Sequence, residues 1–268
     1  MTRSTGRPGK AILREVGRAF QPVPAGPTTP VLLMEARMSS RRLPPPHFRG
    51  FDPHGPFTFY QRHLPHWRQP GATYFVTYRL ADSLPQGVID YISRMRHEIM
   101  RLGTNPSAKV LRDQYEQEVG RRFESSLDEG HGQCVFQDTA NAKILDDSLQ
   151  FGSKDRYFLG CTVVMPNHCH ILIRPYDGCD LEKVLGSIKG YTAHQINKRT
   201  GSSGELWQEE CYDRIVRDEE HLYRVIQYIG RNPAKCGLPS PYPFRWINPT
   251  WRDAGWNFEV AHGEERRP

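Results

Sequence analysis

A chain of 268 residues with 37% apolar content, 22 prolines and 23 glycines has room for one large domain or two small ones, with much of its length outside a packed core. No window nears eighteen uninterrupted apolar residues, and no charged segment leads into an apolar one at the start. That excludes a membrane-spanning helix and predicts an unexported, cytoplasmic protein in contact with the nucleoid. The formal charge of +6 is unevenly placed: residues 1–50 carry nine Lys/Arg against Glu15 and Glu35, and the remainder is nearly balanced. Attraction to a polyanion therefore rests on the tail and on local clusters.

The six cysteines never form Cys-x-x-Cys, so neither a zinc ribbon nor a thioredoxin-type motif is supported; they read as reduced thiols. Residues 1–66 are rich in Pro, Gly, Arg and Ser and read as a largely disordered basic tail. Order is expected over 67–246, with a helical insertion at about 103–150 and a C-terminal tail over 247–268.

Thr73 to Leu80, dense in β-branched and aromatic residues, predicts the first strand. Val88, Ile89, Tyr91, Ile92, Met95 and Ile99 recur at helical spacing over 87–102, predicting a helix on one sheet face. Residues 103–133 are polar, and no chemistry is legible in them. A further helix is expected over 134–150, then strands over 157–164 and 168–174, close enough in sequence to pair antiparallel. Asp180 predicts the cap of a helix to about Lys198, and residues 212–217 a fourth strand. Asp218 predicts the cap of a last helix, 219–232, with Pro233 as its stop. This order fits an α+β fold of ferredoxin-like type, an antiparallel sheet with helices on one face.

The chemistry concentrates in two places. The period of two on a strand puts His168 and His170 on one face and Cys169 on the other. On the last helix, Tyr228 and Asn232 are four apart and share a face beside the stripe Leu222, Val225, Ile226 and Ile229. If that helix crosses the sheet near the histidine strand, His168, His170 and Asn232 offer two nitrogens and an oxygen to one cation, with the Tyr228 hydroxyl nearby. Mixed N/O donors favour Mg²⁺ or Mn²⁺ over structural Zn²⁺. Tyr191 and Tyr223 lie elsewhere and read as packing or surface. Trp207 and Tyr212 are either base-stacking platforms or core. Lys183, Lys189, Lys198, Arg199, Arg214 and Arg217 either track phosphates or form a solvated face.

Met165-Pro166-Asn167-His168-Cys169-His170, then Leu206-Trp207-Gln208, Tyr212-Asp213 and Tyr228-Ile229-Gly230-Arg231-Asn232-Pro233, resemble the single-tyrosine transposases of the HUH superfamily. Among these the set is most similar to the REP-associated tyrosine transposases. The resemblance spans roughly 67–246. It implies metal-dependent cleavage of single-stranded hairpin DNA, leaving a 5′-phosphotyrosine and a free 3′-hydroxyl, with strand transfer by reversal. Residue by residue it makes Tyr228 the nucleophile and His168, His170 and Asn232 the metal ligands. Cys169 departs from the family, which usually has a larger apolar residue there. The implied partner is palindromic-repeat DNA and not a membrane, with the protein a monomer or homodimer. A hairpin-binding protein without turnover and a nuclease using activated water are the alternatives.

Overall fold

The computed structural model describes residues 43–61, 65–102 and 106–259. The expected disorder of the tail lies, up to residue 42, outside them. Strands β1 (Thr58–Gln61) and β2 (Pro65–Arg68) pair as a separate ribbon. The main sheet holds β3 (Tyr74–Arg79), β4 (Tyr157–Val164), β5 (His168–Pro175), β6 (Tyr212–Ile215) and β7 (Arg245–Ile247), all neighbours antiparallel, in the order β6-β3-β5-β4-β7. The helices are α1 (Gln86–Leu102), α2 (Lys109–Asp128), α3 (Thr139–Gly152), α4 (Leu181–Thr200), α5 (Glu219–Lys235) and the short α6 (Pro249–Asp253). The α+β class and the antiparallel sheet are as the sequence predicts.

The helices, however, lie on both faces rather than one. Leu145 and Leu149 of α3 and Val184 and Ile188 of α4 pack with Tyr74, Val76, Ile171 and Ile173. On the opposite face Leu222, Val225, Ile226 and Ile229 of α5 pack with Phe75, Val163 and Leu172. This is why all eight residues of β4 and all eight of β5 are buried. A strand covered on both sides is usually apolar on both sides, as in buried parallel sheets, so the buried His168, His170 and Arg174 on one face of β5 are exceptions that call for an explanation.

Helix α1 also departs from expectation. It packs on α2 instead of the sheet, its Ile92 joining Val119, Phe123 and Leu127 in a separate cluster. Within 103–150 only α2 stands apart from the sheet; α3 is one of its covering helices. The expected boundaries at 67 and 246 fall inside the packed region as well. The Thr73 N–H donates to the Arg49 carbonyl at 2.8 Å, and the Phe51 N–H to the Val216 carbonyl at 3.0 Å. Trp251 and Trp256 are buried against the α5 face and donate from Nε1 to the carbonyls of Pro46 (2.7 Å) and Leu43 (3.1 Å).

Asp180 and Asp218 cap their helices as expected, accepting from the Lys183 N–H at 3.1 Å and the His221 N–H at 2.7 Å. Pro233 does not stop α5, which runs on to Lys235. So late in a helix, the hydrogen bond lost at proline is one of the last the helix would make. No helix among the described residues is long and apolar enough to cross a membrane.

Candidate active site

His168 and His170 lie opposite Arg79 and Thr77 of β3 and face α5, on the same side of the sheet as Leu172. Each imidazole is oriented from behind. Asn167 donates from Nδ2 to the His131 carbonyl at 3.1 Å, which turns its Oδ1 toward His168 Nδ1, 2.8 Å away. His168 must then carry its proton on Nδ1 and present a bare lone pair at Nε2. His170 Nδ1 lies 2.9 Å from Thr77 Oγ1, leaving its Nε2 turned toward α5. The sequence marks Asn167 only as a turn former, and its orienting role depends on a carbonyl 36 residues away in the chain.

Helix α5 supplies the other half. Tyr228 Oη stands 3.4 Å from His170 Nε2, and the Tyr228 ring meets His170 and Phe75 edge-on, with centroids 5.1 Å and 5.9 Å away. Asn232, one turn on, influences the ionisation of both His168 and Tyr228, so it lies beside each. Two buried atoms here have no hydrogen-bond partner: His168 Nε2 and Asn232 Oδ1. Stranded acceptors cost free energy, so in a native site they call for an explanation.

The donor set fits a divalent cation with mixed N/O preference: His168 Nε2 and Asn232 Oδ1 have unsatisfied lone pairs, and the neighbouring neutral His170 turns its Nε2 to the same face, with the Tyr228 hydroxyl 3.4 Å from it. Among the described residues no group of three or more His, Cys, Asp and Glu could hold a metal, so a third protein donor here would have to be the amide. Burial keeps both imidazoles neutral, the form that binds metal. His168 is pushed down to about 3, and His170, which also feels His168, falls well below the usual histidine range.

Charges surround Tyr228 in two pairs. Lys235 Nζ lies 4.6 Å from its ring centroid, and the Arg214 guanidinium lies 5.4 Å from the centroid of neighbouring Phe75. Glu124 and Asp128, four apart on α2, are close enough to act on the ionisation of Tyr228; Glu124 pairs with Arg214 at 3.6 Å. Burial first, then these two carboxylates, hold the phenol protonated, with Arg214 opposing. Burial likewise raises both carboxyl groups above their ordinary values, against Lys235. Sequence reading missed Lys235, Glu124 and Asp128. The i, i+4 spacing of the two acids was the available signal, hidden within the charge run of α2.

The remaining candidates disperse. Trp207 is core rather than a base platform: it is 6% exposed, donates to Thr192 Oγ1 at 3.0 Å and packs against Tyr78 and Phe136. Tyr212 is half-buried against Phe123 of α2, with Arg214 over its ring. Asp213 points to the other sheet face, where it accepts from Arg68 and lies 2.7 Å from His66 Nδ1. Lys189 donates to the carbonyls of Gln208 and Glu209, and Arg199 ties α4 to α3 through Asp138 and Asn141. Lys198 and Arg217 are exposed. Of the basic candidates, only Arg214 stands at the site.

No curated protein matches. Among solved structures, that of a REP-associated tyrosine transposase bound to a REP hairpin aligns over 68% of this chain and 82% of its own, at 19% identity and a TM-score of 0.38. Residues 134–232, which hold both histidines, Tyr228 and Asn232, match the family of IS200-like transposases, as the order of the sequence motifs predicts.

Proposed function

We propose that this protein is a metal-dependent single-stranded DNA endonuclease and strand transferase whose nucleophile is Tyr228. The observation that carries the reading is the Tyr228 hydroxyl 3.4 Å from His170, on the face where His168 Nε2 and Asn232 Oδ1 lack partners. A tyrosine oxygen attacking a phosphodiester forms one O–P bond as the P–O3′ bond breaks, and the phenol proton leaves in effect with the 3′-hydroxyl. Bond types are conserved, so the reaction runs back with a different 3′-hydroxyl and joins strands without an energy source. His168, His170 and Asn232 would hold Mg²⁺ or Mn²⁺, which when bound polarises the phosphoryl oxygen and neutralises developing charge. The protein's own part is to orient the imidazoles through Asn167 and Thr77 and to place Arg214 and Lys235 where an anionic phosphate approaches. The substrate class, hairpin-forming single strands from palindromic repeats, follows from the sequence resemblance.

The test is a denaturing gel of the full chain with end-labelled hairpin DNA from beside its own gene, in Mg²⁺, Mn²⁺ or chelator. A metal-dependent species that survives denaturation is expected with the wild type and not with Tyr228→Phe. Cleavage without an adduct would assign attack to water, and shifted DNA on a native gel without cleavage in any metal would favour the binding protein.

A further inference from the structure

We infer that Asp128 of α2 is a positioning residue for the metal centre, setting the Asn232 carboxamide with its oxygen toward His168. The inference rests on the proposed site and adds a residue from an element in which sequence reading found no chemistry. A carboxamide has two edges that differ in chemistry but hardly in shape, so packing alone does not decide which one faces a metal. A carboxylate does decide, because it only accepts. Asp128 Oδ1 stands 3.5 Å from Asn232 Nδ2, so the NH₂ edge faces α2. The oxygen edge must then turn away, and that oxygen is the buried Asn232 Oδ1 without a partner.

Asp128 is itself held in place. Cys236 Sγ, one turn beyond Asn232, donates to the Asp128 carbonyl at 3.4 Å and approaches Oδ1 at 3.9 Å. Lys235 adds a stabilising charge. The last turn of α5 thus grips the last residue of α2 and uses it to fix one side chain. The arrangement parallels Asn167 behind His168: in each case a ligand atom is aimed by a hydrogen bond made at the opposite side of its group.

The experiment is calorimetric titration of the metal-free full chain with Mn²⁺ alone, for wild type, Asp128→Asn, Asp128→Ala, Asn232→Ala and Asp128→Asn/Asn232→Ala, with thermal unfolding of each. Asp128→Asn is close to isosteric and should fold; its carboxamide can accept or donate, so it no longer dictates the edge. We expect Mn²⁺ affinity to fall by about 10-fold or more in both Asp128 variants, the range typical of groups that orient a ligand. Asp128→Asn should add nothing once Asn232 is alanine. Wild-type affinity in Asp128→Asn, or effects of the two substitutions that simply add, would overturn the inference and leave the proposed function standing. No Mn²⁺ binding by the wild type would overturn both.

Discussion

Gly160→Ala should destabilise this protein by about 1–3 kcal/mol, the usual cost of forcing a methyl into a filled space. Gly160 sits at the register shift of β4, between Leu159 and Cys161, on the strand that carries Val163 beside His170. A Cβ there would lie 2.4, 2.6 and 2.9 Å from three atoms of the Trp251 six-membered ring, about an ångström inside ordinary contact. The indole has little room to retreat. It is fully buried, meets the Phe158 ring at a tilt with centroids 5.6 Å apart, and is anchored through Nε1 to the Pro46 carbonyl at 2.7 Å. Gly160 is not in the left-handed region, so alanine tests the steric clash and not backbone strain. Urea unfolding of the full chain followed by tryptophan fluorescence would measure it, and Trp251→Ala should cost about 3–5 kcal/mol alone. The two changes must not add, because removing the indole opens the space the methyl needs. A Gly160→Ala variant within about 0.5 kcal/mol of wild type, or strict additivity, would refute the packing of residues 247–256 onto the sheet.

Trp207→Phe should lower stability by about 1–2 kcal/mol through loss of the Thr192 bond and of packing, yet leave hairpin affinity by fluorescence anisotropy unchanged. Glu124→Gln releases the exposed Arg214 from an ion pair worth about 0–1 kcal/mol. Hairpin binding at low salt should therefore tighten by up to about 5-fold, whereas Arg214→Ala should weaken it and reduce the salt slope by about one. His221 accepts the Arg217 N–H at Nδ1 and is pushed down to about 4, by burial first and then by Arg214, Arg217 and Arg224. Its folded pKa lies below the unfolded one, so its contribution is complete above about pH 6.5 and is lost as pH falls toward 4. Denaturation midpoints should show wild type losing about 1–2 kcal/mol more than His221→Gln between pH 7 and pH 5, the lower figure allowing for solvent screening of this half-buried group.

Four of the seven described strands, the two capped helices and the pairing of residues within each half of the candidate site were legible because each depends on local rules. Period two puts His168 with His170, and a four-residue step puts Tyr228 with Asn232. The sidedness of the helices was misread: one covered face was expected, whereas helices cover both, and the polar residues His168, His170 and Arg174 on one face of β5 concealed that this face is buried as well. What the sequence hid was contact between distant segments. The chain from Leu43 is proline-rich and reads as disordered, yet the two C-terminal tryptophans reach its carbonyls from more than two hundred residues away. Helix α2 reads as a solvated charge run because most of it is one; only Glu124 and Asp128 turn toward Tyr228. Trp207 shows the converse error, since an indole is as suited to a core as to a nucleobase and only its burial decides.

The geometry also bears on the choice between a working enzyme and a protein that only binds DNA. A binding surface needs exposed cations and stacking groups, whereas His168, His170 and Asn232 are at most 1% exposed and cannot contribute to one. Sealed in, two of them keep atoms without partners, at a cost of about 1–3 kcal/mol for each orphaned group. Apolar residues of similar size would fill the same volume without that cost. Asn167 and Thr77 deepen the contrast, because both stand behind the imidazoles and fix their direction, which is of no use to packing. A site that gives up stability to hold lone pairs in fixed directions has the energetics the proposed cation centre requires, and under that proposal the half-buried tyrosine beside it is where the cation's charge would be used.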